Sequence, residues 1–149
     1  LLAAGELDLV VGTTLRRTPP AAGRLIGSDP LAWVAAEAQR FAPRAEVPLV
    51  LLDADCAVHR HARATLTKAG LKPRVAFVAS GVLGVHAAVA AGLGVGCLNH
   101  ASIPAGLQRL GSASGLPAAG RLHTCVVQRP GAEGPRPPAA VVAAFVDAF

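Results

Sequence analysis

Short apolar runs alternate with segments of helical spacing along this chain, and this alternation constrains the fold more than any other feature. Apolar runs with the length and composition of buried strands occur at residues 47–53, 74–79 and 94–98. The segments between them carry apolar residues every three to four positions. Strands that alternate with helices build βα units around a mostly parallel sheet. The sequence therefore predicts an α/β fold.

Two helices are predicted between these strands. The first spans residues 54–70 and ends at Gly70, a typical C-terminal stop. The second follows Ser80, which stands where an N-cap residue is expected. The buried stripe of the first helix is predicted to contain Val58, Ala62, Leu66 and Ala69. That of the second is predicted to contain Val82, Val85, Val89 and Leu93.

Other elements are predicted on both sides of these βα units. The opening letters LLAAGELDLVVG read as a helix end, a stop at Gly5 and a strand over residues 7–11. Two short extended pieces are expected within residues 24–37, and a further strand at 122–128. A loop over 129–138 should lead into a last helix with Val142, Phe145 and Phe149 facing inward. The missing methionine and the abrupt start indicate a fragment.

Composition limits the class of protein. The chain has 149 residues, of which 52% are hydrophobic and 15% charged, enough to bury a substantial core. No apolar run reaches the roughly 18 residues of a membrane span. The first residues also lack the features of a secretory signal. We therefore expect a cytoplasmic protein without a membrane partner.

Charge is distributed unevenly. Residues 56–132 contain no Asp or Glu, although basic side chains occur throughout them. These are Arg60, Arg63, Lys68, Lys72, Arg74, Arg109, Arg121 and Arg129. The pattern is typical either of a site for an anionic ligand or of a solvated helix face, and both remain open. Direct nucleic-acid binding by this chain is disfavoured, because aromatic residues make up only 3% of it.

One cluster has the residue types of a metal site, namely Asp53, Asp55, Cys56, His59 and His61. A structural zinc ion needs four ligands in a closed shell, and no second Cys/His pair stands at a suitable spacing. We therefore expect helix-capping aspartates and surface histidines, with no metal and no cofactor.

The cysteines and the glycine-rich turn give little support to catalysis. Cys56, Cys97 and Cys125 are widely spaced, which favours reduced and mostly buried thiols. The letters GLGVG follow a helix and enter a strand, the reverse of the order in a dinucleotide-binding loop. We therefore expect no enzyme activity.

Polar residues at the ends of the predicted strands form the best candidate site. Backbone amides at Ser80 and Gly81, at the start of a helix, can receive a small anion. Open α/β sheets bind ligands outside the carboxyl ends of their strands. This places Thr13, Thr14, Ser80, Gly81, Asn99 and His100 around one crevice. Alternatively, Ser80 only caps its helix and the glycines only allow close packing.

Four segments in this order, GELDLVVG, PLVLLDADC, AAVAAGLGVGCL and AAVVAAFVDAF, resemble the effector-binding domain of LysR-type transcriptional regulators. The resemblance covers nearly the whole chain. It implies a type II periplasmic-binding-protein-like fold of two α/β lobes, with the first lobe incomplete. Residues 1–16 and 121–149 would belong to lobe I and residues 24–118 to lobe II.

The same resemblance implies a regulatory function. A small, anionic effector would bind between the lobes, with contacts from Thr13, Thr14, Ser80 and Gly81. Lobe closure would then alter how a homodimer or homotetramer presents its DNA-binding domains, which are absent from this chain. A transport-type solute-binding protein of the same fold is the alternative. A third hypothesis is a catalytic domain that uses Cys56 with His59 or His61.

Overall fold

The chain forms two compact units. The computed structural model describes residues 2, 4, 6, 7, 9–19, 23–128 and 144. Unit 1 consists of Leu1–Ser28 and Leu122–Phe149, and unit 2 of Asp29–Arg121. That these units correspond to the two predicted lobes stays a prediction. The expected loop at 129–138 and the last helix lie outside the residues described.

Unit 1 contains an antiparallel strand pair. Strand β1, Leu9–Thr14, pairs with the last strand along its whole length, with Leu9 opposite Gln128 and Thr14 opposite His123. The sequence placed the end of this strand at Val11. Thr13 and Thr14 instead continue it, as suits β-branched residues, and they are strand residues rather than loop residues.

Unit 2 contains a mixed sheet. Its strands are β2 (Gly23–Ala35), β3 (Glu46–Leu52), β4 (Lys72–Ala79), β5 (Val95–Asn99) and β6 (Gln108–Leu110). Among these five strands of unit 2, the order is β6-β2-β5-β3-β4. Strands β5, β3 and β4 are parallel, whereas β2 runs antiparallel to β5 and β6.

Two strands contain the boundaries between the units. Strand β2 passes from unit 1 into unit 2 at Asp29, and strand β7, Arg121–Gln128, enters unit 1 at Leu122. The sequence predicted two short extended pieces where β2 is one strand of 13 residues. It missed β6, which is only three residues long and mostly exposed.

The two helices cover opposite faces of the sheet. Helix α1, Ala57–Lys68, connects β3 to β4, and helix α2, Val82–Ala90, connects β4 to β5. Both connections join parallel strands, and crossovers of this kind are right-handed in nearly all proteins. Because the second returns across β3, α2 lies on the face opposite to α1. No helix in the described part of the chain is long and apolar enough to cross a membrane.

The α2 face has a closely packed apolar core of Val34, Val50, Ala79, Val85, Ala88, Val89 and Leu98. A Cβ atom at Gly96 would lie 3.0 Å from Val34 Cγ2 and 3.1 Å from Val89 Cγ2. The missing side chain at Gly96 therefore lets α2 approach the sheet closely.

Two residues of the stripe predicted for α2 are not buried. Val85 and Val89 are buried, but Val82 and Leu93 are exposed. The helix is apolar on every side, so spacing alone does not identify its packed face. Leu93 also lies beyond the end of the helix.

Helix α1 buries His59, Ala62 and Leu66. Val58 is only half-buried and Ala69 is exposed beyond the helix end, so the predicted stripe is shifted. Gly70 ends the segment with φ +78°, as its stop role requires.

Strand β4 contains a bulge where it pairs with β3. Leu49 lies opposite Val75, whereas the next residue, Val50, lies opposite Phe77. Ala76 is therefore an extra residue in β4. Bulges are rare in parallel pairs but concentrate at sheet edges, and β4 is an edge strand of the described sheet.

Candidate functional site

Polar residues collect at the carboxyl edge of the parallel strands in unit 2. Ser80 follows β4, Asp53 follows β3, and Asn99 is the last residue of β5. Because β3 lies between β4 and β5, Ser80 and Asn99 are two strand spacings apart, or about 10 Å. Asp29 lies at the same edge, since β2 is antiparallel and Leu31 pairs with Asn99.

The start of α2 differs from the prediction. Gly81, with an extended backbone, is the N-cap residue, and no side chain caps this helix. Ser80 is exposed one residue earlier. Helix geometry leaves the amides of Gly81, Val82 and Leu83 without acceptors inside the helix. These three amides are therefore the donors that the α2 start can offer to an anion.

At the Asn99 end of the edge, hydrogen bonds hold the side-chain carboxylate of Asp29. Asn99 Nδ2 donates a hydrogen bond of 2.9 Å to Asp29 Oδ2, and the Ala101 amide donates one of 2.8 Å to the same oxygen. Partial burial opposes ionisation of Asp29. The two hydrogen bonds and the nearby His100 and Arg121 side chains outweigh this, so the pKa of Asp29 lies below its ordinary value.

Between these two places lies the turn that connects β3 to α1. Asp53 Oδ1 accepts a hydrogen bond of 3.1 Å from the Asp55 amide, and Cys56, the N-cap residue, makes no capping bond. The prediction that the two aspartates cap the helix is therefore wrong. Arg60 Nη1 donates to the carbonyls of Ala54 and Asp55 at 3.0 and 2.9 Å. The edge thus carries both signs of charge.

The histidines of α1 make hydrogen bonds to backbone carbonyls and are not the free surface residues that were predicted. His59 is buried, and its Nδ1 donates to Leu52 O at 2.7 Å. His61 Nε2 donates to Ala119 O at the same distance. A carbonyl can only accept, so both nitrogens carry protons and are not metal ligands in this arrangement. Within the described ranges, no three His, Cys, Asp or Glu side chains could hold a metal ion.

Cys97 and Cys125 are buried as predicted, and Cys56 is half-buried. Burial raises the pKa of the Cys97 thiol to about 12, and Cys56 contributes in the same direction. A thiol that stays protonated at neutral pH is a poor nucleophile. Cys97 therefore has the character of a packing residue.

Unit 1 holds the remaining candidate residues. Thr13 is exposed and Thr14 is half-buried, with its Oγ1 accepting a hydrogen bond of 3.1 Å from the Arg16 amide. The structure thus places four of the six candidates at one edge of unit 2 and two at the end of β1. That all six line one crevice stays a prediction. Sequence reasoning missed Asp29; its one signal was an acidic residue before Pro30 within an apolar segment.

Comparison with curated proteins finds a bacterial regulator. The chain is 32% identical over 117 residues to the HTH-type transcriptional regulator PecT of Dickeya dadantii. The match covers 78% of this chain and 36% of PecT, so the chain spans about a third of that relative.

Solved structures give the same fold at low sequence identity. The apo regulatory domain of HypT from Salmonella typhimurium has a TM-score of 0.74 at 16% identity, covering 99% of this chain and 74% of that one. Its bromide-bound form has a TM-score of 0.71 at 17% identity with the same coverage.

A sulfate-bound OxyR2 variant from Vibrio vulnificus has a TM-score of 0.64 at 17% identity, covering 98% of this chain and 72% of that one. These likenesses show that the fold is the predicted periplasmic-binding-protein-like one. The curated relative PecT is a transcriptional regulator, so the transport alternative is not favoured. The sequence model of the LysR substrate binding domain family matches residues 1–149, and the chain therefore belongs to that family.

Proposed function

We propose that this chain senses a small anionic effector for a bacterial LysR-type transcriptional regulator in the cytoplasm. The effector is bound without chemical conversion. The residues proposed to contact it are Thr13, Thr14, Ser80, Gly81, Asn99 and His100.

The observation that carries this proposal is the shared edge of β3, β4 and β5. Parallel strands place their carboxyl ends side by side, and ligands of open α/β sheets bind outside such ends. Ser80, Gly81, Asn99 and His100 therefore stand on one side of unit 2. Loops positioned by a rigid sheet are common places for binding residues.

An anionic effector is supported by charge and by the relatives. The amides at the start of α2 favour negative charge, and Arg60 lies against the neighbouring turn. Asp53 and Asp55 repel an anion at the centre of the edge, so we expect the charged group of the effector to bind on the Ser80 side and the rest of the effector to reach Asn99 and His100. Structures of the relatives HypT and OxyR2 contain bromide and sulfate respectively.

Effector binding would act by shifting a conformational equilibrium. An effector that binds one arrangement of the two lobes more tightly increases the population of that arrangement. In a homodimer or homotetramer, this would change how the DNA-binding domains are presented. DNA contact is assigned to an N-terminal domain outside this chain.

Thermal unfolding with sulfate, chloride and small carboxylates tests the proposed site. A ligand at about 100 times its Kd should stabilise the chain by about 2.7 kcal/mol. We expect a saturating rise in Tm that is reduced in Ser80→Ala. Ser112→Ala, which removes another exposed serine hydroxyl of unit 2, is the matched control.

Sulfate also stabilises proteins without binding, because it is excluded from their surface. That effect grows with concentration and does not saturate, so it should persist in Ser80→Ala. A response that is the same in the wild type, Ser80→Ala and Ser112→Ala would reject the site at the α2 start.

We also propose that two copies associate through the β4–α2 surface, formed by Phe77, Val82 and Leu83. All three side chains are exposed, and Leu83 is 77% exposed. Groups of exposed apolar residues are typical of protein interfaces. A second copy of this chain could cover this surface.

Sedimentation of the Leu83→Asp and Ala64→Asp variants tests this surface. Ala64 is exposed on α1, so its substitution adds the same charge to the opposite face. We expect Leu83→Asp to weaken self-association at least tenfold and Ala64→Asp to leave it unchanged. Equal self-association of both variants would exclude the β4–α2 surface.

A further inference from the structure

The segment before β7 is fixed to unit 2 by three of its backbone carbonyls. Trp33 Nε1 donates to Pro117 O at 2.7 Å, and the Leu31 amide donates to Gly120 O at 2.9 Å. His61 Nε2 donates to Ala119 O at 2.7 Å. We call residues 117–120 the anchor segment, because the next residue begins the strand that enters unit 1.

Of these three hydrogen bonds to the anchor segment, the one from His61 has its donor on a helix. Trp33 and Leu31 belong to β2, the other strand that passes between the units, whereas His61 lies on α1. The contact is close: Gly120 has φ +90°, and a Cβ there would lie 3.1 Å from His61 Nε2. The positive φ therefore favours glycine opposite this imidazole, and a Cβ there would be a tight contact.

Helix α1 is also fixed to the proposed effector edge. Its first turn follows the Asp53–Cys56 turn, where Arg60 donates to the carbonyls of Ala54 and Asp55. His59 donates to Leu52 O, the last carbonyl of β3. One rigid helix thus holds the end of a strand at the effector edge and, through His61, the anchor segment.

We propose that His61 is a positioning residue that couples the effector edge to strand β7. A displacement of the β3–α1 turn on ligand binding would move α1 as a body. The hydrogen bond from His61 to Ala119 would pass this movement to the strand that enters unit 1. This inference rests on the proposed function, because it assumes that the effector binds at the carboxyl edge.

Hydrogen exchange of the whole 149-residue chain tests the coupling. We expect His61→Ala to raise exchange at residues 119–124 about tenfold, the size of one lost hydrogen bond, and to leave β3 unchanged. His61→Gln retains an N–H donor and should restore most of the protection. His59→Ala is the matched control, and should raise exchange in α1 and β3 but not at 119–124.

Two results of this ligand-free comparison would overturn the proposal. One is unchanged exchange at 119–124 in His61→Ala. The other is an equal rise in β3, β5 and 119–124, which would make His61 an ordinary packing residue.

A second arm adds sulfate as the probe. In the wild type, sulfate should slow exchange at residues 80–84 and at 119–124, whereas in His61→Ala it should slow exchange only at 80–84. Equal slowing of both regions in His61→Ala would overturn the coupling. If sulfate changes neither region in the wild type, the proposed anion site fails, and the ligand-free comparison alone decides whether His61 holds the strand.

Discussion

Helices α1 and α2 cover the same three strands from opposite faces, but they are held there in different ways. Helix α1 has a polar outer side, and its inner side combines Leu66 with hydrogen bonds from His59 and His61 to carbonyls. Helix α2 packs through small and branched apolar residues, with Gly96 of the sheet beneath it. Its outer side is apolar.

Unit 2 thus contains one helix held by hydrogen bonds and one held by close packing. Directional hydrogen bonds fix α1 at defined points, as suits a helix that positions other elements. Close packing fixes α2 without such bonds, and its apolar outer surface remains for another protein surface to cover. Two substitutions test this comparison and a third tests the sheet edge, in order of decreasing effect.

Leu66→Ala should have the largest effect. Leu66 is the fully buried residue on the inner side of α1. Its truncation would remove contacts and leave a cavity, which would lower the free energy of unfolding by about 2–5 kcal/mol. Urea unfolding measures this. Thr67→Ala, at the exposed neighbouring position, should change stability by less than about 0.5 kcal/mol. A cost for Leu66→Ala no greater than that of the control would mean that hydrogen bonds alone hold α1.

Gly96→Ala should have an intermediate effect. The added methyl group would press on Val34 and Val89, both fully buried, and overpacking of this kind costs about 1–3 kcal/mol. Gly111→Ala is the control, because a Cβ there meets no atom within 4 Å. If both variants unfold at the same urea concentration, α2 is not held by close packing.

Asp29→Asn should have the smallest effect, since it removes one partly exposed charge and leaves the packing of both helices unchanged. The pKa of Asp29 is lowered in the folded state, so the folded state favours the carboxylate. Its contribution is therefore present at neutral pH and lost as the pH falls through that lowered pKa, below 3.8. Urea midpoints of both proteins, measured from pH 7 to pH 3, should draw closer together toward the acid end. A gap independent of pH would contradict this prediction.

The order of the βα units was predictable because apolar runs of strand length stand between turn residues. Strands β3, β4 and β5 lie within two residues of the predicted ranges. The placement of Ser80 and Asn99 at one edge follows from the same order, because parallel strands align their carboxyl ends. This part of the candidate site needed no knowledge of side-chain contacts.

The rest depended on contacts that a sequence pattern does not record. Asp29 bonds to Asn99, 70 residues away, through an antiparallel pairing that no local signal predicts. The partners of His59 and His61 are backbone carbonyls, which every residue has, so the histidines were expected on the surface. The exposure of Val82 was missed because a uniformly apolar helix gives no directional signal.

The extra residue in β4 bears on how this domain tolerates changes in chain length. Removing one residue from a regular strand turns every later side chain to the other face. Deleting Ala76 would instead leave Val75 opposite Leu49 and Phe77 opposite Val50, because the residue lost has no partner in the register. A homologue one residue shorter here could therefore keep the same sheet, and a gap at this position in an alignment need not indicate a different fold.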